Sequence, residues 1–320
     1  MAFKYIWKDK LIYSKKGKYV ILNFDSIIGN DEIKKYLLDR VNNGKTSQSY
    51  LFVGNEGIGK LLIAKEFARK ILCIDNKKDY CECKSCKCFE SGNHPDYYII
   101  NESGETIKID QIREITSKII EQPIISDKKV YIINDCDKMT VEAQNCLLKT
   151  LEEPPEFAVI ILISSNENTI LNTIKSRCMI LKFKNIPNDE LQKYAKDKLE
   201  ITQMTENFLK SLNGSIGKAI VQKENQEKFL KVESIINELE NEDIITIMND
   251  SKVIYDKENI NTILEYMIIC VFSKSEENKA YINCIDKINN AMLFLKRNCN
   301  FDMTIDTMIF EMYECVKKGI

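Results

Sequence analysis

The chain has 320 residues, 44% of them hydrophobic and 29% charged, with a formal net charge of −2. That length exceeds one simple core and points to two or three domains, while the near-neutral charge excludes a general nucleic-acid magnet, so any DNA contact must be local or shared. No apolar run could span a bilayer and the lysine-rich Met1 to Tyr19 lacks the apolar core of a signal peptide, so a cytoplasmic location is expected.

Met1 to Val20 has little periodicity and receives no role. Asn30 is placed to cap a helix with Ile33, Leu37 and Val41 on one face. Tyr50 to Val53 reads as a short buried strand running into Gly54-Asn55-Glu56-Gly57-Ile58-Gly59-Lys60, then a helix from Leu61 to about Ile71. Strand, glycine loop and helix is the context of a phosphate-binding loop. The glycines let backbone N–H groups converge on phosphate oxygens at a helix N-terminus, and Lys60 would meet the terminal phosphates. Such a loop needs Ser or Thr after the lysine to hold magnesium, and Leu61 has no oxygen. Gly54, Gly57, Gly59 and Lys60 are therefore candidate contacts of a degenerate loop, with weak or no ATP or ADP binding expected.

Five of the twelve cysteines, Cys73, Cys81, Cys83, Cys86 and Cys88, fall within sixteen residues. Clustered cysteines in a reducing compartment are metal ligands, and this spacing fits a tetrahedral zinc corner with a structural role, since four thiolates leave no open position. Next come a strand, Asp96 to Ile100, a polar turn, Glu102 to Glu105, and a helix striped by Ile109, Ile112, Ile115 and Ile119.

The strand from Val130 to Ile133 ends in Asn134-Asp135. In an active ATPase the strand ends in Asp-Glu, the first ordering magnesium and the second polarising water. With Leu61 and Asn134, two magnesium contacts are changed, which should cost roughly 10³-fold or more in rate. A helix from Thr140 to Leu151 is broken by Glu152-Glu153-Pro154-Pro155. A strand, Ala158 to Ile163, follows, then a helix from Thr169 to Lys175 ending in Ser176-Arg177-Cys178, and a strand, Met179 to Phe183. Pro187-Asn188 opens a helix with Leu191, Tyr194, Ala195 and Leu199 on one side. Beyond Gln222 the pattern is helical, with stripes at Ile263, Met267 and Val271, at Ile285, Ile288 and Met292, and at Ile305, Met308, Ile309 and Met312. Cys178, Cys270, Cys284, Cys299 and Cys315 are expected to be packing residues.

Leu147-Leu148-Lys149-Thr150-Leu151-Glu152-Glu153-Pro154-Pro155 followed by Ser176-Arg177-Cys178, with Ile107 to Glu114 ahead of them, resembles the clamp-loader subunits of bacterial DNA polymerase III. The resemblance covers about residues 24 to 220. It implies an AAA+-like α/β domain of the P-loop NTPase type at residues 24–186, with the zinc module inserted at about 73–88. A small helical lid domain (187–225) and an all-α collar domain (226–320) would follow, behind an extension of unknown role (1–23). The family's four-cysteine module precedes a His-Pro-Asp sequence, here His94-Pro95-Asp96, with His94 shaping a turn rather than binding metal. Counted from it, Cys73, Cys83 and Cys86 match family ligands; Tyr80 stands at the remaining position, so Cys81 is the shifted ligand and Cys88 its substitute. One structural zinc per chain is implied. Arg177 would act in trans on the γ-phosphate of a neighbouring site. Lys218 falls in a segment similar to the family's second sensor, where its compact charge suits a forked phosphate contact poorly.

Within the family the pattern is similar to the delta prime members, which are ring subunits without motor activity. The implied partners are gamma/tau and delta subunits, and through the complex the sliding clamp and primer-template DNA. Two alternatives stand beside it: an active gamma/tau-type motor, which would need Ser or Thr at position 61 and Asp at 134, and a zinc-containing nucleic-acid-binding protein on a decayed ATPase fold.

Overall fold

The structure, a computed structural model, describes residues 23–75, 81–101, 105–201 and 203–318; Met1 to Val20, Tyr80 and the first part of the Glu102 to Glu105 turn lie outside the described residues. The chain divides into two compact units, one reaching residue 190 and including 215–217, the other comprising 191–214 and the residues from 218 onward.

The first unit is built on a parallel sheet of β1 (Ser49–Val53), β2 (Tyr97–Ile100), β3 (Lys129–Ile133), β4 (Ala158–Ser164) and β5 (Met179–Lys182), in the order β2-β3-β4-β1-β5. Both faces are covered, so the central strands read as nearly continuous apolar runs. Successive side chains point to opposite faces. Tyr50, Phe52, Val130, Ile132, Val159, Ile161 and Ile163 therefore enter one core with α1 (Asp31–Asn42) and α2 (Lys60–Leu72). Leu51, Val53, Tyr131, Ile133, Ile160 and Leu162 enter the other, with α4 (Ile109–Lys118) and α5 (Val141–Glu152). Each fully buried aliphatic side chain contributes roughly 1.5–3 kcal/mol. Parallel pairing places the loops after β1, β3 and β4 along one edge, where α/β sheets bind ligands.

Two expected elements differ. Asn30 precedes α1 but does not cap it with its side chain, because its backbone is left-handed, with φ of 55°. Its amide instead accepts from the Lys184 N–H (2.8 Å) and donates to the Lys184 carbonyl (3.1 Å). The helix expected from Thr169 to Lys175 is a 3-10 turn, Glu167–Thr169, followed by the single-turn α6 (Asn172–Lys175). Ile170, buried between them with an extended backbone, anchors the chain in the core and interrupts the helix.

The second unit is helical. It contains most of α7 (Asn188–Leu199), α8 (Glu206–Leu212), most of α9 (Ile216–Gln222), then α10 (Gln226–Glu238), α11 (Ile244–Asp250), α12 (Ile260–Ser275), α13 (Tyr281–Lys296) and α14 (Phe301–Lys318). Phe208, Phe229 and Tyr266 pack in series through its core: Phe208 meets Phe229 at a tilt with ring centroids 6.0 Å apart, and Phe229 stacks on Tyr266 at 4.2 Å. Ile263, Met267, Val271, Ile288, Ile305, Met308, Ile309 and Met312 are buried, whereas Ile285 and Met292 are half-buried. Cys270, Cys284 and Cys315 are buried, but Cys299 is exposed in the turn between α13 and α14 and packs nothing into the core. Among the described residues no helix is long and apolar enough to cross a membrane.

Candidate functional site

α2 has a candidate site at each end. At its N-terminus the loop after β1 turns through Gly54, Gly57 and Gly59, all at positive φ. Gly57 is constrained on two grounds. Its φ is 74°, and an added Cβ would lie 2.2 Å from Ser215 Oγ and 3.1 Å from Gly217 Cα. The Gly57 carbonyl also accepts from the Gly217 N–H at 2.9 Å. Ser215 to Gly217 thus sits directly on the glycine loop. Lys60 is 7% exposed, and its ammonium donates to the carbonyls of Gly54 (2.5 Å) and Asn55 (2.6 Å). Burial lowers its pKa to about 8, against the opposing pull of Asp135, Asp137 and Glu56.

The strand ends beside this loop do structural work. Asn134 and Asn101 exchange amide–carbonyl hydrogen bonds of 3.3 Å each, stitching the ends of β2 and β3. Asp135, left-handed at φ of 48°, pairs with Lys138 at 3.1 Å. Asp137 accepts from the Ser165 N–H (3.1 Å) and hydroxyl (3.0 Å). Lys218, on α9, is exposed.

Arg177 lies on the short turn after α6. Its guanidinium donates to Glu152 (2.6 Å), the last residue of α5, to the Thr173 carbonyl (2.8 Å) and to the Ser176 hydroxyl (3.3 Å). Both partners of the ion pair remain partly exposed. Cys178 is half-buried rather than fully buried, and burial pushes its thiol up to about 12.

At the C-terminus of α2 the structure gathers Cys73, Cys81, Cys83 and Cys86, with all four sulfurs within 4.8 Å of one another. Tetrahedral zinc–thiolate bonds of about 2.3 Å imply sulfur separations of about 3.8 Å; Cys73 Sγ stands 3.5 Å from Cys81 Sγ and 4.0 Å from Cys83 Sγ. The set fits a metal ion. Cys88 is not in it: α3 (Lys84–Glu90) begins just after Cys83, and a residue two positions past Cys86 turns away. The Cys86 N–H donates to Cys83 Sγ at 3.4 Å. Burial pushes the Cys83 thiol up, but bonds from the backbone N–H groups of Cys86 and Ile74 outweigh it and bring it to about 7. Burial holds the Cys86 thiol well above its ordinary value.

A buried polar network ties this cluster to the sheet. The hydroxyls of Ser85 and Ser126 both donate to the Leu72 carbonyl at 2.6 Å, satisfying the end of α2. His94 Nδ1 accepts from the Asp96 N–H (3.0 Å), so its Nε2 carries the proton and donates to Ser85 Oγ (2.9 Å). Asp96 accepts from the N–H groups of Ile124, Ile125 and Ser126 at 2.6, 2.7 and 2.9 Å. His94 is a structural link and is absent from the cysteine set. Sequence reasoning passed over Glu66 and Arg69, a buried pair on α2 joined by two bonds of 2.7 Å. The available signal was two opposite charges three apart, on a helix whose other inward positions, Ile63 and Phe67, are apolar.

The family described as DNA polymerase III, delta subunit, matches residues 29–187. The chain is similar to DNA polymerase III subunit delta' of Bacillus subtilis, 39% identical over 152 residues that cover 47% of this chain and 46% of that one. It is also similar to DNA polymerase III subunit gamma/tau of Mycoplasma pneumoniae, 32% identical over 199 residues covering 60% and 29%. The chain thus spans half or less of the length of these curated relatives. Among solved structures, a gamma subunit-related protein of Thermotoga maritima aligns over 90% of this chain and 99% of its own, at 18% identity and a TM-score of 0.45.

Proposed function

We propose, from the match of residues 29–187 to the DNA polymerase III delta-subunit family and the likeness to a delta' subunit, that the chain is a clamp-loader subunit of the delta prime kind. It serves as a ring member that does not turn over ATP itself. It lends Arg177 to the ATPase site of an adjacent gamma/tau subunit, and the complex, with a delta subunit, loads a sliding clamp onto primed DNA.

The observation that carries the non-motor reading is the loss of both magnesium anchors: Leu61 offers no oxygen, and Asn134 spends its amide on Asn101. Phosphoryl transfer is almost entirely positioned metal and charge, so a site lacking both anchors has little to work with. Arg177 retains what its own loop has given up. Its pair with Glu152 is partly exposed, so exchanging that carboxylate for a multiply charged phosphate costs only about 0.2–1 kcal/mol of lost pairing.

The cysteine cluster is read as a closed structural zinc site, with Cys73, Cys81, Cys83 and Cys86 as ligands and no position for substrate. Residues 187–225 are assigned to a lid and 226–320 to a ring-forming collar. Exposed Phe272, Ile282, Met303 and Phe310 on the C-terminal helices support an interface there.

The test is reconstitution with purified gamma/tau, delta and clamp. Arg177→Ala should lower the DNA- and clamp-stimulated ATPase at least about tenfold without changing this subunit's melting temperature. An unchanged rate removes the trans role. Sustained magnesium-dependent hydrolysis by the purified chain alone overturns the non-motor assignment.

A further inference from the structure

Arg69 is 3% exposed and Glu66 1%, on the turn of α2 that precedes Cys73. Glu66 takes the Nε and Nη2 of Arg69 through two bonds of 2.7 Å, which fixes the guanidinium plane and leaves Nη1 directed at Cys86 Sγ, 3.9 Å away. Burying an ion pair is costly, and apolar residues of similar volume commonly serve stability as well or better. Packing alone therefore gives no reason for a charged pair beside Ile63 and Phe67. Four thiolates around a divalent cation carry a net charge of −2, and that charge needs compensation in a buried place. Cys86 is fully buried, so water cannot supply it. It is the guanidinium of the pair, not the carboxylate, that reaches this sulfur. The opposing charge, Asp75, lies 3.9 Å from Cys81 Sγ but is exposed to solvent.

We propose that Arg69, fixed by Glu66, is a positioning residue of the cysteine cluster: it holds the Cys86 thiolate by a charge-assisted N–H···S contact and so slows metal loss. The inference rests on the metal reading given above, and it makes the helix that starts at the glycine loop an outer support of the metal centre. Outer contacts of this kind change metal affinity by roughly 10- to 100-fold.

The experiment uses the full chain loaded with zinc, or with cobalt as a spectroscopic probe, and follows zinc transfer to a chromophoric chelator. Arg69→Gln should release zinc at least about tenfold faster than the wild type and shift the thiolate-to-cobalt charge-transfer bands, whereas Arg69→Lys, which keeps the charge but loses the fork, should fall between them. Arg69→Gln leaves Glu66 buried without its partner, so the double variant Glu66→Gln/Arg69→Met supplies the control: it removes both charges together and should fold like the wild type while still releasing zinc faster. A folded double variant with wild-type release and an unchanged cobalt spectrum overturns the role of Arg69. A wild-type chain that takes up no zinc at all overturns the metal reading itself, and the two failures are distinguishable by the metal content of the wild type.

Discussion

The two ends of α2 have gone opposite ways. At the N-terminal end the glycine loop keeps its shape, but its lysine is bonded to Gly54 and Asn55 and its Gly57 to Gly217. At the C-terminal end every polar group converges on holding something: Ser85 and Ser126 on the last carbonyl, Asp96 on three N–H groups, four thiols around one point. One helix thus carries a glycine loop met by its own chain at its start and a cysteine cluster at its finish. The backbone geometry of a phosphate loop needs only glycines and packing, whereas its chemistry needs oxygen ligands for a cation.

The largest expected effect breaks the anchored end. Cys83→Ser with Cys86→Ser should take the metal content from one per chain to none and lower stability by about 3 kcal/mol or more, read by metal analysis and chemical denaturation. Next, Gly57→Ala at the other end should cost about 1–3 kcal/mol, through its positive φ and the collision with Ser215, while leaving metal content unchanged. Loss of metal in that variant would mean that the two ends are not separable.

The two ends should also titrate in different windows. Burial depresses His94 below its ordinary 6.5. The unfolded chain then binds the proton more readily, so this contribution to stability is present above about 6.5 and is lost as pH falls through the folded value. His94→Gln should flatten the acid limb of the stability profile relative to the wild type. Lys60, depressed from 10.5 to about 8, acts with the same sign at higher pH: its contribution is present above 10.5 and is lost as pH falls toward 8. Lys60→Met should flatten that alkaline limb alone. Denaturation curves across both windows check the pair of predictions, and a single variant that alters both limbs would merge what the comparison separates.

The smallest expected change is a restoration that fails. Leu61→Thr with Asn134→Asp returns two magnesium ligands but leaves Gly57 held against Gly217, so ATP affinity should change by less than about threefold by fluorescent-nucleotide titration. A large gain would show that the missing cation ligands alone had closed the site.

Much of the sheet was legible because both of its faces are covered, and strands buried on both sides leave a plain, continuous apolar run at Val130 to Ile133 and Ala158 to Ile163. The one-turn α6 was not, since Ile170 is buried by tertiary packing that no local spacing records. Nor was the position of Asn30, whose amide serves a residue 154 positions away. Cys299 illustrates the opposite error: composition says that a cysteine is usually buried, and only the turn at Asn298 to Asn300 puts this one in water.

By itself the sequence determined the apolar strand runs of the α/β unit, the glycine loop without its magnesium oxygens, and five cysteines close enough along the chain to hold a metal. Those are properties of residue type and short spacing. The fold alone decided that Lys60 turns onto its own carbonyls, that Arg177 rests on Glu152, and that Arg69 faces a sulfur. Each of these depends on where a side chain finds its charge or hydrogen-bond partner once distant segments are packed together, and that choice is made in three dimensions.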